Sequence, residues 1–409
     1  MIEFIPRPYK LFNKIQNYDW GTKDSRAFIP KFLGTAAEPD LPYAELWIGA
    51  HPKAPSEVML EDRRAPLNEV VEQHKRECLG DYVAGKFSGK LPFLLKVLSA
   101  AKALSIQLHP NKAQAVALHH AHPENYPDDN HKPEIAIALD SLDAIVGFKP
   151  SAKIAETLRS LPELSEFADQ RLVETAISAK TDSDREVAIR NLYGDIMRRA
   201  GDAGSLSACI VSIHNRLSMK RILSHEERLF LSQHELYGTD VGLLSFFFFN
   251  MVNLKPGQAI FTDAGVPHAY IEGNIIECMA NSDNVVRAGL TNKFKDIDTL
   301  LAIVRYEFGE CPVINQAQEV GEVVYNTGAE EFRITRYAKG AGFKRVCQSR
   351  NRPSVCLIAD GEIEMMWSQG GKDHLQSFSK GESFFIPAFL TEFRISSSDG
   401  VDFYKVDVP

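Results

Sequence analysis

A block of helical periodicity, from about Ser151 to Gln233, interrupts a chain whose flanks read as strands and turns, and this interruption constrains the fold most. Within it Ile154, Leu158 and Leu161 recur at i, i+4, i+7, and Ile189, Leu192 and Ile196 at i, i+3, i+7. Those spacings place apolar side chains on one helical face. Ser183 with Glu186 and Ser224 with Glu227 match the capping-box spacing, so helices are expected to begin there. From Pro42 to the neighbourhood of Gln107, short apolar runs such as Leu46–Gly49 and Leu91–Leu98 alternate with Gly and Pro, as in strands and turns. Strand texture returns at Leu243 and persists to about Tyr270, with Pro256 and Gly257 at the centre of an expected type II turn. Phe246–Phe249 reads as a strand buried on both faces, which the helical block must cover.

At 409 residues the chain exceeds the size at which one core keeps growing, so two or three domains are expected. The expected division is a discontinuous β-barrel of residues 1–150 and 243–320, a helical insertion of residues 151–242, and a C-terminal β-barrel of residues 321–409. An internal comparison supports the last. Aligned without gaps, Leu254–His268 and Phe378–Glu392 share the turn glycine (Gly257, Gly381), an apolar pair after it and an alanine (Ala264, Ala388). Glu392 then stands where His268 stands, so the C-terminal barrel is expected to carry no metal site.

The net charge of −8 argues against a nucleic-acid surface. Cys78, Cys209, Cys278, Cys311, Cys347 and Cys356 form no C-x-x-C pair and read as reduced thiols. Met1–Phe12 shows no apolar signal-peptide core, and the apolar run Leu243–Phe249 is far shorter than the ~20 residues of a membrane span. The expectation is a cytoplasmic monomer acting on a small molecule, without nucleic-acid or membrane partners.

Gln107 and His109 are two apart, so in an extended strand they face the same way. With Glu134 and His268 they make a sulfur-free set of four that suits zinc with an open position, and leaves manganese, cobalt or iron open. His119, His120 and His122 lie in a polar stretch before Pro123 and read as solvated helix-end residues.

Six segments, Gln16–Gly21, Ala44–Pro52, Leu91–Pro110, His131–Glu134, Gly265–Tyr270 and Met279–Thr291, resemble in order the signatures of the type I phosphomannose isomerases over nearly the whole chain. The resemblance implies cupin-type (jelly-roll) β-barrels with a helical insertion. It also implies zinc-dependent interconversion of mannose 6-phosphate and fructose 6-phosphate, with Gln107, His109, Glu134 and His268 as ligands. Lys96, Lys132, Tyr270, Glu277 and Arg287 map to its sugar site, and Ser105 to the approach of the substrate phosphate. Asn292 departs from a proline common in the family at that position.

Such a reaction moves a proton between adjacent carbons while negative charge develops on oxygen. Arg287, always charged, suits the enediolate oxygens or the phosphate. Lys132, two residues before Glu134, would share its cavity; a neighbouring divalent ion would lower its pKa and allow proton transfer. Glu277 and His131 are the other candidate bases. Lys96 is expected at the phosphate, and Tyr270 at a sugar oxygen. A non-haem iron oxygenase and a non-catalytic sugar-phosphate binder are the rival readings, and an isomerase assay with and without chelator separates the three.

Overall fold

The structure is a computed structural model that describes residues 4–315 and 321–409. It is mainly β with several helices, and two large sheets of ten and nine strands organise it. In the ten-stranded sheet, Glu134–Phe148, His268–Ala280, Phe93–Ala100 and Glu45–Gly49 lie side by side, antiparallel. Phe93–Ala100 is buried at every position, which its apolar sequence allows. Hydrogen bonding leaves both strand orders as open paths rather than closed rings.

Six helices follow one another between Ser151 and Tyr237. Their apolar faces share one core with the sheet: Tyr193 and Phe230 pack in the same cluster as Ile106, Leu108, Ile145, Phe148 and Ile271. Full burial of Phe148, Phe230 and Phe249 stabilises this join by roughly 1.5–3 kcal/mol each on area grounds. Among the described residues no helix is long and apolar enough to cross a membrane, and all six cysteines are free thiols.

Three local expectations need correction. The capping box at Ser224 and Glu227 forms, but the one at Ser183 and Glu186 does not. Thr181, already extended at φ −112°, accepts from Asp184 N–H and starts the helix at Asp182 instead. Phe246–Phe248 are not strand: they form a turn after the short helix Gly242–Ser245, and the strand begins only at Phe249. All four phenylalanines are buried, and a run buried on every side carries no periodicity to separate helix from strand. The Pro42–Gln107 stretch also holds two helices, Leu67–Gln73 and Lys75–Lys86.

The turns at Gly257 and Gly381 are built alike. Gly257 has φ 81° and Gly381 φ 82°. Gln258 N–H donates to Lys255 O at 2.9 Å, and Glu382 N–H to Ser379 O at 2.9 Å. The same two side chains accept from Lys255 N–H (2.8 Å) and Ser379 N–H (2.9 Å). The first described strand, Tyr9–Leu11, pairs with Ser383–Ile386 in the nine-stranded sheet.

Candidate metal centre and substrate cleft

His109 follows the short strand Ile106–Leu108, whereas Glu134 and His268 open the long central strands. Their ligand atoms lie within 4.8 Å of one another, and all three residues are buried. His268 Nε2 is 2.8 Å from Glu134 Oε1, and His109 Nε2 3.4 Å from Glu134 Oε2. Each imidazole uses Nδ1–H on a carbonyl, His109 on Asn284 O at 2.8 Å and His268 on Val266 O at 2.9 Å. That fixes the tautomers and aims both Nε2 lone pairs inward. His109 Nε2, His268 Nε2 and Glu134 Oε2 have no hydrogen-bond partner. Buried polar atoms are normally satisfied, and three lone-pair donors converging without a proton between them fit a divalent cation.

The electrostatics agree. Burial, helped by the Lys132 ammonium, lowers His109 to about 4, so the imidazole stays neutral, the form that ligates metal. Burial alone would raise the Glu134 carboxyl, but charge attraction, that of Lys132 foremost, holds it well below the usual range. Lys132 Nζ lies 3.4 Å from Glu134 Oε2.

The centre borders a cleft of about 870 Å³ lined by Ser105, Gln107, Lys132, Lys96 and Arg287 among others. Gln107 stands directly across from His268 on one neighbouring strand and from Arg287 on the other. Directly opposed residues share a sheet face, so the amide sits between a ligand and a guanidinium. Asp283, four residues before Arg287, pairs with Lys53 at 2.8 Å. Burial lowers the Arg287 pKa with only Tyr126 opposing it, which describes a cation short of counter-charge. The Arg287 strand is fixed by the end of the helical block: Asp240 Oδ1 accepts from Gly242 N–H (2.7 Å) and Leu290 N–H (2.6 Å). A Cβ on Gly289 would come 2.3 Å from Gly242 Cα.

Three residues stand differently from expectation. Lys96 reaches the cleft, but its ammonium sits 3.4 Å from Glu45 and 3.1 Å from Glu277, over the Trp47 ring. Burial opposes its charge, yet the two carboxylates outweigh burial and raise its pKa, so its charge is already matched and is not free for a phosphate. Tyr270 is buried and turns its hydroxyl to Glu134 Oε1 at 3.3 Å, steadying the carboxylate rather than a sugar oxygen. His131 is not brought to the cleft: its Nε2 lies 2.6 Å from Glu331 Oε1. Ser105 and Lys132 line the cleft as expected, and Glu277 lies behind Lys96. Glu45 and Trp47 escaped notice in the sequence, although their i, i+2 spacing on a strand was the available signal, and Trp47 pairs directly with Lys96.

Fold and site together define a mainly β protein with a buried two-imidazole, one-carboxylate cation site beside a polar cleft whose lining includes Lys132 and Arg287. Residues 9–151 match the catalytic domain of type I phosphomannose isomerase. The chain is 35% identical to mannose-6-phosphate isomerase 1 of Arabidopsis thaliana over 96% of its own length and 92% of that protein's. It is 36% identical to the mannose-6-phosphate isomerase of Candida albicans over 91% of each. It superposes on a point mutant of phosphomannose isomerase from Salmonella typhimurium with a TM-score of 0.85, at 30% identity and 98% of each chain. A mannose 6-phosphate isomerase bound with zinc and yttrium is similar, with a TM-score of 0.83, 29% identity and 98% of each chain. The chain belongs to the type I phosphomannose isomerase family.

Proposed function

We propose that this chain is a zinc-dependent aldose–ketose isomerase that interconverts mannose 6-phosphate and fructose 6-phosphate through an enediol(ate). One observation carries the reading: three partnerless buried donor atoms, on His109, Glu134 and His268, beside a cleft that Lys132 and Arg287 line. The relatives, similar over nearly the whole length, supply the substrate. His109, Glu134 and His268 would hold zinc, with Gln107 beside them as the fourth ligand, and bound zinc would supply Lewis acidity toward the sugar oxygens.

The remaining chemistry belongs to the chain's own groups. Arg287, next to Gln107 and short of counter-charge, stabilises the oxygen on which negative charge develops. Lys132 is assigned the proton that moves between the adjacent carbons, because it lines the cleft where Glu277 does not. Burial raises the Glu277 carboxyl against the pull of Lys96, which suits a reserve proton carrier behind it. Ser105, two residues before Gln107, is assigned to the phosphate.

For the scaffold, we read the sheets as two cupin-type barrels, residues 1–150 with 243–320 and residues 321–409, separated by the insertion 151–242. The matched turns at Gly257 and Gly381 support this division. The functional test is a coupled assay forming fructose 6-phosphate from mannose 6-phosphate. Turnover abolished by chelator and restored by zinc is expected; chelator-resistant turnover, or none in zinc-replete protein, discards the reading.

A further inference from the structure

We infer that Asp128 is a positioning residue for the metal centre, orienting His109 through the backbone of Asn284; this rests on the zinc reading above. Ser282–Asn284 form a loop between the strands His268–Ala280 and Val286–Gly289, and the loop's last carbonyl, Asn284 O, receives His109 Nδ1–H at 2.8 Å. An imidazole gripped this way tilts with its acceptor, so whatever fixes Asn284 fixes the ligand.

Asp128 lies far away in sequence, on the connection after the Lys112–Ala121 helix, and its carboxylate gathers this loop. Oδ1 receives Asn130 N–H at 3.0 Å and Asn284 Nδ2–H at 3.2 Å, with the Ser282 hydroxyl at 2.8 Å. Oδ2 receives Asp283 N–H at 2.8 Å. Ser282 Oγ in turn accepts from Asn284 N–H at 3.1 Å, and the Asn284 amide also donates to Asp128 O (2.6 Å) and Asn130 O (2.9 Å). Ser282 is 2% exposed and Asn284 0%, so water does not replace what is lost. Donors approach both carboxylate oxygens, and only an ionised carboxylate accepts at both. An amide at position 128 would turn an N–H on one of those donors.

The test compares Asp128→Asn and Asn284→Ala with the parent and with Asp129→Asn, an exposed neighbour, as control. Zinc dissociation constants come from chelator competition, and the site's geometry from visible absorption of the cobalt-substituted proteins. Both variants are expected to bind zinc about 10- to 100-fold more weakly and to alter the cobalt spectrum, with activity recovering at saturating zinc. Melting of the metal-free forms monitors the fold. Parent-like zinc affinity and cobalt spectra in both variants overturn the inference. Should Asp128→Asn fail to fold, Ser282→Ala decides, since it removes the bridge between the carboxylate and Asn284 N–H. A parent that takes up no zinc would instead overturn the reading of the centre itself.

Discussion

The strands that follow the turns at Gly257 and Gly381 share the turn geometry and differ in everything a metal needs. In the first, Thr262 faces Glu134 and His268 faces Gln107. In the second the corresponding registers put Ile386 opposite Ser354 and Glu392 opposite Gln348. Glu134 is fully buried with two imidazoles against it, whereas Ser354 is bonded to Asp407 at 2.7 Å and Glu392 lies in solvent. Turn geometry and register therefore do not make the site. A buried charge with its compensating groups does, and it is costly enough that its sequence neighbourhood must be built around it.

The strongest way to break this contrast is to remove the buried charge. Glu134→Gln should lose bound zinc by elemental analysis and lower turnover by at least about 10³-fold, a barrier increase of ~4 kcal/mol. Zinc-bound, fully active Glu134→Gln would end the argument. Arg287→Met should keep zinc but lower kcat/KM by about 10²–10³-fold in the coupled assay, if the donor proposed for the developing oxyanion is the one removed. Gly289→Ala sharpens the part played by the helical block. Its methyl would meet Gly242 Cα at 2.3 Å, so a stability loss of about 1–3 kcal/mol in urea titrations is expected.

The second region offers a pH test. Burial would raise the Asp407 carboxyl, but Lys405, Ser354 and Arg333 hold it below the ordinary value. Its contribution to stability is then present above the unfolded-state value of about 4 and is lost as pH falls through the folded-state value. Chemical denaturation should show that acid limb in the parent and a shallower one in Asp407→Asn. The smallest effect is expected from Glu392→His, which places an imidazole where the repeat would put one. Zinc content should stay at the parent value, since no buried carboxylate accompanies it; a second bound zinc would show that register suffices after all.

Much of the site was legible in the sequence. Strand spacing suggested Gln107 with His109 and Lys132 with Glu134, although His109 lies just past its strand and Lys132 just before its own. Lys96 was legible as a cleft residue but not as a matched charge, because Glu45 and Glu277 reach it from neighbouring strands. The Asp128 network was silent for the same reason: it joins a loop to residues more than 150 positions away. In the fold, the helical block was clear from its periodicity, whereas Phe246–Phe248 had none to read and Ser183 lost its cap to a threonine two residues earlier.

One pairing bears on how the molecule is made. Tyr9–Leu11 is made long before its hydrogen-bonding mate, Ser383–Phe385. The nine-stranded sheet therefore cannot be completed vectorially: this strand waits, edge unsatisfied, until Ser383–Phe385 has been made. Helix Lys75–Lys86 closes the same circuit, since the carbonyls of Glu77 and Cys78 receive Phe389 N–H and Ala388 N–H. Nascent chains thus carry an open β edge until that partner is made, the window in which a chaperone would have the most to protect.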